Sequence, residues 1–343
     1  MQAALVTGKH KLELCEFPDP AAAPGKAVVQ IAYCGICGTD LHAYQSGAAY
    51  NPAICGHEWT GTVSAAPADV QLREGDRVAI GIANACGQCS TCQRGDAAHC
   101  ENAFMGLIGL GPLAAPHGGF ASSIAIDAAR LYAVNDGISD LHAAMLEPAT
   151  VAVHAVRRTE VRPGDSVVVI GGGPIGLLVM QCARTAGAGT IILLEPQQSR
   201  RELAAVLGAD LTLDPTVEDA AERINAHIGA AGADVVFECA GIPATIEQAV
   251  ELTRRGGSVS LVGVPNAPSQ INAAGWLIKE VRLTASLGYL REEFAITQAL
   301  VADGRIQLSP MHTSTVSLGA IAAAFDKLAT EPEEVKILVD PNL

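Results

Sequence analysis

The chain has 343 residues, 49% of them hydrophobic and 17% charged, and a formal net charge of −14. That length suits two domains with separate cores, and that charge argues against nucleic acid or an anionic membrane as a partner. The longest apolar run, 167–180, is broken by Gly171, Gly172, Gly173, Pro174 and Gly176 and is too short to span a bilayer. Met1 is not followed by a basic stretch and an apolar core of the export type, so a cytoplasmic location and reduced thiols are expected.

In the first third, short β-branched or alternating runs predict strands over 2–7, 27–34, 61–65 and 77–80, an all-β region with long loops. Cys37 follows the second strand in Cys37-Gly38-Thr39-Asp40-Leu41-His42, and Gly56-His57-Glu58 comes later. Taken alone, Cys37 reads equally as a core thiol and His57 as a turn histidine. Thiolate, imidazole and carboxylate can also share a zinc ion, and three protein ligands leave one position open for a substrate. The spacing C-x2-C-x2-C-x7-C at Cys86, Cys89, Cys92 and Cys100 lets one loop converge four thiolates on a tetrahedral ion. The intervening residues, among them Gly87, Ser90 and Gly95, are small or polar and favour sharp turns. Buried inert thiols would instead sit in apolar runs. This predicts a closed structural zinc site, which carries no chemistry of its own.

From about Pro148 the pattern changes to apolar strands alternating with helices. Strands are expected over 167–170, 190–194, 234–238 and 258–263, and helices over 174–186, 199–207, 217–227 and 244–252. That alternation predicts a doubly wound parallel sheet. Gly171, Gly173 and Gly176 form GxGxxG between the first of these strands and its helix, the order a dinucleotide pyrophosphate site requires. Glu195 ends the next strand, where a carboxylate accepts from adenosine ribose hydroxyls and repels a 2′-phosphate, so NAD is expected over NADP. Arg200 and Arg201 stand close enough to blur that preference, or serve as solvated charges. The chain closes with helices expected over 291–302 and 318–328 and a strand over 335–340 that could rejoin the first sheet.

Together with Gly75-Asp76-Arg77-Val78, Glu147-Pro148 and Val335-Lys336-Ile337, these motifs resemble, over essentially the whole chain, the zinc-containing medium-chain dehydrogenase/reductase family. The likeness is nearest to its polyol, threonine and butanediol dehydrogenase branch. The resemblance implies an α/β protein: a GroES-like, mostly β catalytic domain of residues 1–149 and 290–343, with a zinc lobe at 84–102, around a Rossmann domain of residues 150–289. It implies two zinc ions. Cys37 and His57 would bind the catalytic one, with Glu58 completing the shell or exchanging with water, and with Glu147 ligating directly or through water. Thr39 would take the alcohol proton and His42 release it, with an ordinary exposed histidine as the lesser reading of His42. Asp40 would brace its loop or the histidine ligand. Gly171, Gly173, Pro174, Ile175, Gly176, Glu195, Arg200, Cys239, Val262 and Gly263 would contact NAD.

Phe104, Trp276, Leu277 and Tyr289 would join Thr39 in lining a rather apolar pocket or would be core residues. A secondary alcohol or 2,3-butanediol-like diol is the expected substrate, with L-threonine or sorbitol as alternatives. A homotetramer or homodimer is the expected assembly. His117, His142 and His154 carry no spacing argument and read as packing or surface residues. Two other classes compete: a zinc-independent quinone reductase, disfavoured by the thiols, and a non-catalytic NAD-binding protein.

Overall fold

The structure, a computed structural model, describes residues 1–265, 267–330 and 333–343. Its strands in chain order are β1 (Gln2–Gly8), β2 (Lys11–Glu16), β3 (Lys26–Gly35), β4 (Glu58–Ala65), β5 (Arg77–Ile80), β6 (Ser123–Asp127), β7 (Leu131–Ala133), β8 (Ser166–Ile170), β9 (Thr190–Leu194), β10 (Leu211–Leu213), β11 (Ala233–Glu238), β12 (Thr253–Leu261), β13 (Arg282–Ala285), β14 (His312–Ser317) and β15 (Lys336–Asp340). The chain falls into two compact units. One comprises Met1–Glu147, Leu290–Ala302 and His312–Leu343; the other comprises Pro148–Tyr289 and Asp303–Met311.

In the first unit a mixed sheet runs β14-β15-β3-β4-β5-β7, with β6 also pairing with β3. β3 is its hub, antiparallel to β4, β6 and β15. The last strand therefore does join the first sheet, with Leu338 opposite Gly35. Trp59, Phe120, Phe325, Ile31 and Ile124 form the core beneath it, and Phe325 meets Tyr44 and Phe120 edge-on. The chain-terminal helix and the first strands thus share one apolar interior, which is what brings residues so far apart in sequence together.

The second unit is a parallel sheet in the order β10-β9-β8-β11-β12-β13. Val167, Val168, Val169, Ile191, Ile192 and Leu193 are fully buried because helices cover both faces. The strand order reverses direction between β8 and β11, the switch point at which such sheets bind ligands.

Several boundaries differ from the sequence expectation. The helix expected from 217 starts at Ala220, because the Asp219 side chain accepts from Glu222 N at 3.0 Å as its cap. β12 stops at Leu261 instead of Gly263, since the amides of Val262 and Gly263 both turn to donate to Glu238 O at 2.9 and 2.8 Å. The helix expected over 318–328 begins as a 3-10 turn, Leu318–Ala320, and continues as Ile321–Thr330. Asp303–Met311, expected with the first unit, packs with the second: Gln181 Oε1 accepts from Gln307 N at 2.7 Å. β2 and β13 were not among the expected strands, and most of their residues are exposed.

Candidate active site

Cys86, Cys89, Cys92 and Cys100 offer ligand atoms that all lie within 4.8 Å of one another. Cys89 Sγ and Cys100 Sγ are 3.9 Å apart, close to the ~3.8 Å edge of a tetrahedron built on a Zn–S bond of about 2.3 Å. The backbone is turned to favour thiolates: Cys86 N donates to Cys100 Sγ at 3.2 Å and Cys89 N to Cys86 Sγ at 3.3 Å. Thr91 Oγ1 and the Cys92 amide hold the Cys89 thiol down at about 5, while burial and then Cys89 push Cys92 up to about 12. Four soft donors in this arrangement fit a zinc ion and leave it no open position.

A second group is mixed. Cys37, His57 and Glu58 bring one ligand atom each within the same 4.8 Å of one another. Local structure sets all three. Cys37 sits where β3 ends and the helix Gly38–Ser46 begins, and its amide donates to Asp40 Oδ2 at 3.0 Å. Fully buried Asp40 also accepts from Gly56 N at 3.3 Å and from Tyr50 Oη, so one carboxylate joins the cysteine loop to the histidine loop. Gly56 has φ +78°, and a Cβ there would meet Phe120 at 2.8 Å and Cys34 Sγ at 2.9 Å. Only glycine passes. The His57 ring then hydrogen-bonds Ile54 O through Nδ1 at 3.0 Å, which puts its proton on Nδ1 and leaves the Nε2 lone pair for a metal. Glu58 opens β4 and is buried against Lys336, whose Nζ donates to Glu58 Oε2 at 2.6 Å and to Ile36 O at 3.1 Å.

Electrostatics follow from this crowding of anions. Burial alone would disfavour a charged His57, but Cys37, Asp40 and Glu147 together raise it well above the ordinary histidine range. Lys336 shows the same contest. Burial lowers its pKa, Glu58 and then Cys37 and Glu147 raise it further, and the net shift is upward. Glu147 is buried at the start of the helix Leu146–Thr159 and acts on both groups, but it is not one of the three residues whose ligand atoms converge. Shortly before it in sequence, Asp140 Oδ1 and Ile138 O accept from Arg77 at 2.6 and 2.7 Å. Thr39 Oγ1 is buried with no hydrogen-bond partner among the described residues, and His42 lies exposed on the same helix.

In the second unit the turn after β8 has the features a pyrophosphate needs. Gly171 has φ +102°, and a Cβ at Gly176 would lie 1.9 Å from Gly171 O, so close helix–strand packing requires glycine there. Gly173 precedes the helix Pro174–Ala186, and a Cβ on it would meet nothing, leaving open space at the helix N-terminus. Glu195 is buried and accepts from Gly172 N at 2.7 Å and Gln197 N at 2.9 Å. Arg201 is engaged with Glu195 O, Pro196 O and Asp214. Arg200 is half-buried on the same helix. At the neighbouring strand end Cys239 N donates to Ile170 O at 2.9 Å, and Val262 and Gly263 turn against Glu238. Ile175 is half-buried in the first turn of the helix. The geometry fits a dinucleotide.

Trp276 packs on the core of the second unit and donates through Nε1 to Glu247 at 3.0 Å, while Leu277 beside it is exposed. Phe104 is partly exposed and Tyr289 buried. Sequence reasoning missed Lys336 and Tyr50 as neighbours of the Cys37–His57–Glu58 group. A lysine inside an apolar strand was the available signal for the first.

Residues 23–136 match the family described as alcohol dehydrogenase GroES-like domain, and residues 174–303 match zinc-binding dehydrogenase. The chain is 32% identical, over all of its length and 99% of the relative, to 2-dehydro-3-deoxy-L-galactonate 5-dehydrogenase of Pseudoalteromonas atlantica. Its structure superposes on that of 2R,3R-butanediol dehydrogenase from Bacillus subtilis with a TM-score of 0.86, at 30% identity and 99% coverage of both chains. A Sinorhizobium meliloti 1021 protein, described as a zinc-binding dehydrogenase and bound to NADP, gives a TM-score of 0.84 at 30% identity and 99% coverage of both. With a relative of that identity matched from end to end, the chain belongs to the zinc-containing medium-chain dehydrogenase/reductase, or alcohol dehydrogenase, superfamily.

Proposed function

We propose that this protein oxidises a secondary alcohol or vicinal diol, 2,3-butanediol-like, to the ketone with NAD, reversibly, using a zinc ion at Cys37, His57 and Glu58. The convergence of those three ligand atoms within 4.8 Å, beside a second set of four thiolates, carries the reading. When bound, zinc supplies Lewis-acid polarisation of the substrate oxygen and the nicotinamide accepts the hydride. The protein's own part is to place and move the proton. Thr39 Oγ1, buried with no partner among the described residues, is disposed to accept from the alcohol, and exposed His42 to release the proton to water. Glu147 adds negative charge at His57 and is the candidate for a direct or water-mediated fourth contact. The Cys86–Cys100 loop holds the second, structural ion.

Glu195 supports NAD over NADP. Its carboxylate is pinned by two backbone amides, so its charge cannot swing away from a 2′-phosphate, and Arg201 is committed elsewhere. The NADP-bound relative makes this the point to measure first. A polyhydroxylated sugar acid is the second substrate reading, favoured by the Pseudoalteromonas relative. The test is NADH absorbance on mixing the zinc-loaded protein, NAD or NADP, and a panel of secondary alcohols, diols and sugar acids, repeated after chelation. Turnover with butanediol and NAD that disappears on chelation is expected. Chelator-insensitive turnover, or equal use of NADP, would overturn the respective parts.

A further inference from the structure

Lys336 is the one residue of the closing Val335-Lys336-Ile337 motif that carries charge, and the chemistry above gives it no role. It is 2% exposed, as is Glu58, and the two form an ion pair at 2.6 Å. Such burial of two charges stabilises little by itself, because desolvation cancels most of the attraction. The pair spans three strands. Lys336 lies on β15, Glu58 on β4, and between them β3 contributes Gly35, which is opposite Glu58 on one side and Leu338 on the other. A Cβ on Gly35 would lie 2.5 Å from Glu58 Oε2 and 3.5 Å from Lys336 Cδ, so the pair passes through the space that glycine leaves. Three acidic side chains, Glu58, Cys37 and Glu147, act on Lys336, so the ammonium stands among groups that carry negative charge when they hold a metal. With a divalent ion bound, the three negative charges are balanced by the ion and Lys336 together.

We propose that Lys336 is a positioning residue for the Cys37–His57–Glu58 metal site: reaching across Gly35, it holds Glu58 by Oε2 and keeps that carboxylate an exchangeable ligand of the zinc. Oε1 is the oxygen to which the lysine does not donate and which stays free to meet a cation. Removing the ammonium frees both oxygens and a full negative charge, and Glu58 then closes on the ion and competes with substrate for the open position. The sign separates this role from a structural one. A lysine needed only for folding would, when lost, loosen the metal; here its loss tightens it.

The inference rests on the zinc reading of these three residues, and the experiment separates the two. Zn²⁺- and Co²⁺-loaded full-length proteins are compared for wild type, Lys336→Met, Lys336→Arg and the double variant Lys336→Met/Glu58→Gln. The measurements are the visible absorption of cobalt and the rate of metal loss to a chelator. Lys336→Met is expected to shift the cobalt spectrum and slow loss from the mixed site about tenfold, the size usual for a residue one contact away from a metal. Lys336→Arg should behave as wild type, and the double variant should lose both effects because no carboxylate remains. If Lys336→Met does not fold, Gly35→Ala splits the same pair with both charges kept and should reproduce the spectral shift. A wild type that binds a single ion, at the four thiolates, removes the metal-site reading itself. Two ions in wild type with an unshifted spectrum in Lys336→Met, faster metal loss, or a shift that persists without Glu58, overturns the role of Lys336 alone.

Discussion

The two groups of candidate metal ligands in the first unit are built on opposite plans. The four cysteines lie in one short loop, and their nearest supports, Thr91 and the amides of Cys86, Cys89 and Cys92, come from the same loop. Cys37, His57 and Glu58 come from the end of one strand, a glycine turn and the start of another, and their supports, Asp40, Ile54, Tyr50 and Lys336, come from four segments. A site made locally can be saturated with identical soft donors and closed. A site assembled from several elements can mix donors, keep a position open and be tuned through the residues behind it. That difference is the physical ground for assigning structure to one and chemistry to the other.

The largest expected effect tests the local plan. In Cys86→Ser the loop should lose its ion, and with it local folding free energy of about 10 kcal/mol. Limited proteolysis should then cut within 86–100, while the rest of the unit keeps its secondary structure and the mixed site keeps its metal. Cleavage no faster than in wild type would show that the loop does not depend on the ion.

Asp40→Asn tests the distributed plan. Asp40 accepts from Cys37 N, Gly56 N and Tyr50 Oη, and an amide placed there must turn a donor toward one of them. A loss of about 10–100-fold in zinc affinity at the mixed site is expected, with none at the four cysteines, read by chelator competition with two resolved phases. Equal weakening of both phases would erase the distinction drawn between them.

The smallest effect is the pH dependence. His57 has a raised pKa in the folded protein, so without metal its protonated form contributes stability that is fully present below about 6.5, its unfolded value, and is lost as pH rises through the raised value. Zinc needs the neutral ring. The stabilisation conferred by metal at this site should therefore grow as pH rises through that same interval, and the melting temperature with and without zinc, followed across pH, should diverge upward. A His57→Ala variant should flatten the curve. An increment that shrinks with rising pH would contradict the sign.

Much of this was legible along the chain because the signals are local. GxGxxG between a strand and a helix, the cysteine spacing and Glu195 at a strand end are each decided within a few residues. Cys37, His57 and Glu58 were legible as motifs, and the structure brings their ligand atoms together. Glu147 was expected to ligate directly or through water; it lies buried and adds negative charge at His57 and Lys336, beside the three residues whose ligand atoms converge. Trp276 was expected either in a pocket or in a core, because an aromatic side chain reads the same in sequence for both; it packs on the core of the second unit and bonds Glu247.

The sequence by itself determined the two-domain plan, the loop of four cysteines and the glycine-rich turn after β8, because hydrophobic periodicity and glycine chemistry act over short stretches of chain. Only the tertiary structure decided that Lys336 meets Glu58, 278 positions away, through the gap at Gly35, and that Asp40 ties the Cys37 loop to Gly56. Those contacts depend on which strands become neighbours in one sheet, and that is settled by the shared core of Phe325, Phe120 and Trp59 rather than by any residue in the contacts themselves.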